Sequence, residues 1–111
     1  MKINHINLTV TDVPAAAEFL EKYFGLHKRD GGNKGFMLLF DDDRLVLTLM
    51  KGSGIYPETF HIGFGQENEA NVNQMYEVLK ADGFDVAAPE RRHAWTFYVK
   101  APGGFTVEIM A

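Results

Sequence analysis

Cysteine is absent from this chain of 111 residues. That excludes a disulfide framework, a thiolate metal site and a cysteine nucleophile. A metal, if held, must rest on His, Asp or Glu. Positive charge is scarce: 11 Lys and Arg stand against 15 Asp and Glu, for a net charge of −4. Nucleic-acid binding, which needs a basic face, is a poor match. So is docking on an anionic membrane. No apolar run approaches the roughly 20 residues of a membrane helix. The opening stretch Met1 to Val10 carries only Lys2 as a charge and reads as a strand rather than a signal peptide, so a cytoplasmic location is expected.

What is present is an ordinary globular composition, 46% hydrophobic and 23% charged, which excludes a disordered chain. The length implies one domain, 1–111, with room for a single core. An enzyme of this size needs a small site, or a subunit interface to complete its walls.

Lys2 to Val10 alternate, with Ile3, His5, Asn7 and Thr9 on one face and Ile6, Leu8 and Val10 on the other. Asp12 then caps a helix with Pro14 in its first turn, an apolar stripe of Ala16, Phe19, Leu20, Tyr23 and Phe24, and Gly25 as its stop. Two or three strands follow between Leu26 and Met50, among them Gly35 to Phe40 and Arg44 to Met50, separated by the turns at Asp30 to Asn33 and Asp41 to Asp43. The connection KGSGIYPE (51–58) leads into a second copy of the plan. Thr59 to Gly65 reads as a strand. Asn68 caps a helix with a Val72, Met75, Tyr76 and Leu79 stripe that ends at Gly83. Phe84 to Val86 is a candidate short strand. Ala94 to Lys100 and Phe105 to Met110 are strands joined by the turn Ala101-Pro102-Gly103-Gly104. His5-Ile6 and His61-Ile62 recur at almost the interval that separates Gly25 from Gly83, so strand–helix–strand–strand–strand occurs twice, with modules of about 1–51 and 58–111.

Alternation places one metal-ligating side chain on the polar face of each of three strands: His5, His61 and Glu108. Curled sheets would turn these faces toward a shared cavity. Two imidazoles and one carboxylate suit a divalent Fe, Mn, Zn, Ni or Co ion and leave coordination positions open. A histidine on a strand is also an ordinary hydrogen-bonded residue, and a C-terminal glutamate an ordinary solvated one. Tyr98 shares a face with Thr96 and Lys100, as an acid/base or substrate contact or as a packed rim tyrosine. Arg91, Arg92 and His93 form a cationic cluster that reads as a solvated loop, with Arg92 a candidate substrate contact. Phe36, Leu38, Phe40, Thr48 and Met50 are candidate cavity walls, with Thr48 and Met50 toward substrate. Met37 and Met50 otherwise read as filler.

The segments INHINLTVTDVPAAAEFLEKYFGL, FHIGFG and APGGFTVEIM, which together span the chain, resemble the vicinal oxygen chelate superfamily, which includes glyoxalases, bleomycin-resistance proteins and extradiol dioxygenases. The resemblance implies an α+β fold of two βαβββ modules forming a cup-shaped, curled mixed sheet with flanking helices. It implies that His5, His61 and Glu108 match three metal-ligand positions. It also implies a homodimer in which His5 of one chain joins His61 and Glu108 of the other.

The chain departs from glyoxalase I. Carried back from Glu108, the repeat interval points to Met50, with Thr48 on the same face, and neither is a carboxylate. Glyoxalase I and methylmalonyl-CoA epimerase chemistry, which need paired acid/base groups, fit poorly. The expected function is a metal-dependent enzyme acting on a small oxygenated substrate by dioxygenase, lyase or thiol-transferase chemistry. The alternative is a non-catalytic drug- or metabolite-binding protein of the bleomycin-resistance type, for which the net charge of −4 suits a cationic ligand.

Overall fold

The computed structural model describes residues 1–111. The chain runs β1 (His5–Val10), α1 (Val13–Phe24), β2 (His27–Lys28), β3 (Phe36–Phe40), β4 (Val46–Lys51), β5 (Ile62–Gly65), α2 (Glu69–Ala81), β6 (Glu90–Arg91), β7 (Trp95–Lys100) and β8 (Thr106–Met110). It is an α+β fold of two βαβββ modules. The strands form two four-stranded mixed sheets, ordered β1-β4-β3-β2 and β5-β8-β7-β6. Two compact units result: Met1–Tyr56 with Ala101–Phe105, and Pro57–Lys100 with Thr106–Ala111. No helix is long and apolar enough to cross a membrane.

In the first unit Asp12 caps α1 by accepting from the Ala15 N–H at 3.1 Å, and Gly25 closes it in the left-handed conformation at φ +66°. Val13, Ala16, Ala17, Phe19 and Leu20 of the helix are buried, as are Leu8, Val10, Leu39, Leu47 and Leu49 of the sheet. Each buried large apolar side chain contributes about 1.5–3 kcal/mol. β1 lies parallel to β4, with His5 beside Val46 and Asn7 beside Thr48. The other sheet face therefore carries His5, Asn7, Thr9, Val46, Thr48, Met50, Phe36, Leu38 and Phe40. The 101–105 turn belongs here too: the Thr11 N–H donates to the Gly103 carbonyl at 3.1 Å, and Phe105 is fully buried.

In the second unit Asn68 caps α2 by accepting from the Asn71 N–H at 2.9 Å. The helix buries Val72 and Leu79, the sheet Phe97, Val99, Val107 and Ile109. Tyr76 meets Phe97 edge-on, with ring centroids 5.8 Å apart. Ile62 pairs with Val107 and Gly63 with Glu108 in the parallel β5–β8 ladder, while Tyr98 pairs with Glu108 across β7–β8.

Several expected boundaries move. β5 begins at Ile62, not Thr59, because the Phe60 N–H closes a turn onto the Pro57 carbonyl at 3.0 Å. β4 begins at Val46, since Arg44 occupies a left-handed turn position at φ 67°. Phe84 to Val86 is not a strand. The Phe84 and Gly83 N–H groups close the end of α2 on the Leu79 and Lys80 carbonyls, at 3.0 and 3.1 Å, and the short strand lies instead at Glu90–Arg91.

Candidate metal centre

Glu108 lies mid-strand in β8 on the face turned away from α2. It is 3% exposed, and the two strands beside it set its surroundings. Gly63 opposes it on β5 without a side chain, while Tyr98 opposes it on β7. Oε1 accepts from the Thr96 hydroxyl at 2.8 Å and the Tyr98 hydroxyl at 3.2 Å, and lies 2.6 Å from His93 Nε2. Three donors thus converge on Oε1. Oε2 faces His61 Nε2 at 3.2 Å.

Burial pushes the Glu108 carboxyl pKa upward, but hydrogen bonds from Thr96, Tyr98 and His93, with the charge of His93, outweigh it and hold the group below its ordinary value. Tyr98 moves the other way. Burial, then the Glu108 charge and the hydrogen bond to it, raise the phenol, against a lowering by Arg92.

His61 Nδ1 donates to the Thr59 carbonyl at 2.9 Å. That bond places the proton of the neutral ring on Nδ1 and leaves the Nε2 lone pair pointing at Oε2. Two lone pairs at this distance repel unless a proton or a cation lies between them, and an orienting bond on the far nitrogen is how metal-ligating histidines are set. Tyr98 also fixes this ring edge-on, at a centroid distance of 5.5 Å. In the first unit His5 is arranged alike, with Nδ1 2.9 Å from Asn4 Oδ1 and Nε2 unengaged. No group of three His, Asp or Glu side chains is assembled to hold a metal ion.

The cationic segment is not merely a solvated loop. Arg91 pairs with Glu69 and lies 5.3 Å from the Trp95 ring. Arg92 pairs with Glu90 at 3.1 Å and, with Thr96 and Tyr98, lines an open groove of about 120 Å³. His93 reaches the buried carboxylate. Sequence reasoning places His93 in the cationic cluster but misses its contact with Glu108, because it stands in a turn, where alternation carries no signal. Thr48 is buried at 7% exposure, but Met50 is 45% exposed and is not core filler. The ladder registers also move the counterpart of Glu108. Asn7 lies beside Thr48 as Gly63 lies beside Glu108, and Leu38 opposes Thr48 as Tyr98 opposes Glu108. Thr48, not Met50, is therefore the equivalent position, because the strand registers and not the helix ends carry the repeat.

Comparisons with known proteins place this geometry. The family profile of the Glyoxalase/Bleomycin resistance protein/Dioxygenase superfamily matches residues 2–109. A solved structure described as a possible glyoxalase from Bacillus cereus is 54% identical, with a TM-score of 0.94, covering 100% of this chain and 99% of that one. Lactoylglutathione lyase from Agrobacterium tumefaciens is 20% identical at a TM-score of 0.76, covering 98% and 92%. An E126Q mutant of the fosfomycin resistance protein FosX from Listeria monocytogenes, complexed with Mn(II) and 1S,2S-dihydroxypropylphosphonic acid, is 23% identical at a TM-score of 0.81, covering 99% and 91%. No curated protein matches significantly. A profile match over nearly the whole length, with two copies of one βαβββ plan, establishes that this chain belongs to the Glyoxalase/Bleomycin resistance protein/Dioxygenase superfamily.

Proposed function

We propose that the protein is a metal-dependent enzyme of the vicinal oxygen chelate type acting on a small oxygenated substrate, by dioxygenase, lyase or thiol-transferase chemistry. The observation that carries this reading is the confrontation of His61 Nε2 with Glu108 Oε2 at 3.2 Å, with the far atom of each group already hydrogen-bonded. His61 and Glu108 of one chain and the partner subunit's His5 would hold the ion, so the working protein is a homodimer in this reading. A divalent metal in such a set supplies Lewis-acid polarisation of a substrate oxygen. Fe, Mn, Zn, Ni and Co all accept this ligand set.

The remaining roles fall to the chain's own groups. Thr96 and His93 hold Oε1 and so fix the direction of Oε2. The Tyr98 hydroxyl, whose one proton is given to Glu108 Oε1 at 3.2 Å, offers its oxygen to a donor on the substrate, and acts as a donor or acid toward a substrate oxygen only by releasing Glu108. Arg92 faces the same groove and meets negative charge on the substrate. Thr48 and Met50 share the His5 face of the first sheet and shape the substrate surface there. With threonine where a second carboxylate would stand, proton shuttling between paired carboxylates of the glyoxalase I kind is disfavoured.

Elemental analysis of the purified protein by mass spectrometry tests the proposal. Near-stoichiometric Fe, Mn, Zn, Ni or Co is expected, and is lost in His61→Ala. Absence of metal after incubation with each ion overturns it and leaves small-molecule sequestration as the better account.

A further inference from the structure

A concavity of about 750 Å³ opens in the first unit, with Leu38, Phe40 and Val46 among its walls and Lys28, Arg29 and Arg44 around it. That volume is in the range of small-molecule sites. The cations are not equivalent. Lys28 is paired with Glu21 at 3.1 Å. The structure gives neither the Arg29 nor the Arg44 guanidinium a carboxylate partner, although Asp30 also lines the pocket.

Both arginines are fixed at the backbone. The Arg29 N–H donates to the Leu38 carbonyl at 2.9 Å, which ties it to β3. Arg44 sits at φ 67°, the one left-handed residue of the chain that is not glycine. A Cβ makes that conformation costly, and glycine or asparagine would occupy it more cheaply. Asp41 enforces it. Its Oδ1 accepts from the Asp43 and Leu45 N–H groups at 3.0 and 2.9 Å, and its carbonyl accepts from the Arg44 N–H at 3.2 Å. Backbone strain held in place by its surroundings, beneath an unpaired charge at the mouth of a pocket, is the pattern of a ligand clamp.

We infer that this pocket binds a small molecule with an apolar body and an anionic head of the carboxylate or phosphate kind, the head gripped by Arg29 and Arg44 and the body lying on Leu38, Phe40 and Val46. A guanidinium fork matches either oxyanion. Val46 stands beside His5, and Leu38 beside Thr48, in the ladders of the same sheet. The pocket therefore adjoins the substrate face of the proposed function, and the inference deepens that reading. Anion binding in the presence of a chelator tests the pocket, while metal analysis tests the metal site.

The test is a titration of the full-length protein, in the presence of a chelator, with 2-naphthoate, 2-naphthyl phosphate and the neutral 2-naphthylmethanol, followed by backbone amide NMR. At least one anion is expected to bind, shifting the amides of Leu38, Phe40, Arg44 and Val46, and to bind more tightly than the alcohol. Arg29→Gln and Arg44→Gly are each expected to weaken it roughly tenfold, the loss of a charge-assisted hydrogen bond. Arg44→Gly is also expected to raise the melting temperature, because glycine relieves the strained turn, so weaker binding cannot be put down to misfolding. The inference is overturned if neither anion binds, if the alcohol binds as well as the anions, if the shifts map elsewhere, or if Arg29→Gln and Arg44→Gly bind like the wild type.

Discussion

His93 Nε2 stands 2.6 Å from Oε1 of Glu108, a contact between a turn histidine and a carboxylate sealed in the middle of β8. It makes His93 one of the groups that hold this carboxyl below its ordinary pKa. Replacing His93 with alanine removes both a hydrogen bond and a neighbouring charge, so the Glu108 pKa rises. Carboxyl-carbon NMR titration of the metal-free protein reads this directly. An unchanged Glu108 midpoint in His93→Ala contradicts the assignment.

The lowered Glu108 pKa has a consequence for stability. A carboxyl whose folded pKa lies below its unfolded value stabilises the fold above that unfolded value, and the contribution fades as pH falls through the folded pKa. Thr96→Val removes the buried 2.8 Å hydrogen bond to this group. At neutral pH it costs about 1.5–3 kcal/mol, the range for a hydrogen bond to a charged partner. Urea unfolding of the metal-free protein at a series of pH values shows the difference at neutral pH and its shrinkage in acid. A constant difference at all pH values means that the bond does not discriminate between the charged and neutral carboxyl.

Tyr98 titrates in the opposite sense. Burial raises its phenol first, and the Glu108 charge and the hydrogen bond to it raise it further. Glu108→Gln removes the charge and leaves the burial, so the Tyr98 pKa falls toward the ordinary tyrosine value without fully reaching it. NMR with labelled tyrosine resolves it among the 4 tyrosines. Tyr56 is the internal control: its hydroxyl donates to the Thr9 carbonyl at 2.6 Å, and its raised pKa stays where it is.

What the sequence disclosed, and what it hid, follows the range of the interactions. Asp12, Gly25 and Asn68 mark helix ends by bonds to backbone groups a few residues away, so each was readable from its neighbours. The two-module plan was readable from alternation and from the recurrence of His-Ile. The role of His93 was hidden because its neighbours Arg91 and Arg92 make the segment look like a charge run, while its contact depends on the pairing of β7 with β8. The strand at Glu90–Arg91 was hidden because two residues carry no period. An interval taken between helix ends puts Thr48 beside the Glu108 counterpart rather than at it, because loop lengths differ between the two modules while the strand registers do not.

The turn before β8 offers a packing test. Gly104 adopts φ +104°, and a Cβ there would stand 2.5 Å from the Gly54 carbonyl oxygen, which is backbone and cannot swing aside. Gly104→Ala therefore destabilises by about 1–3 kcal/mol or more. Phe105→Ala, at a fully buried position of the same turn, costs about 3–5 kcal/mol. Thermal or urea unfolding measures both, and a near-neutral Gly104→Ala contradicts the close approach.

The central claim is that His61 and Glu108 Oε2 confront each other because a metal ion belongs between them. Titration of the metal-free protein with Co(II), followed by visible absorption, addresses it most directly, since Co(II) reports its ligand field. The account predicts a saturable spectrum in the wild type that persists in His93→Ala and disappears in His61→Ala and Glu108→Gln. No spectrum in the wild type, or an unaltered one in His61→Ala, contradicts it.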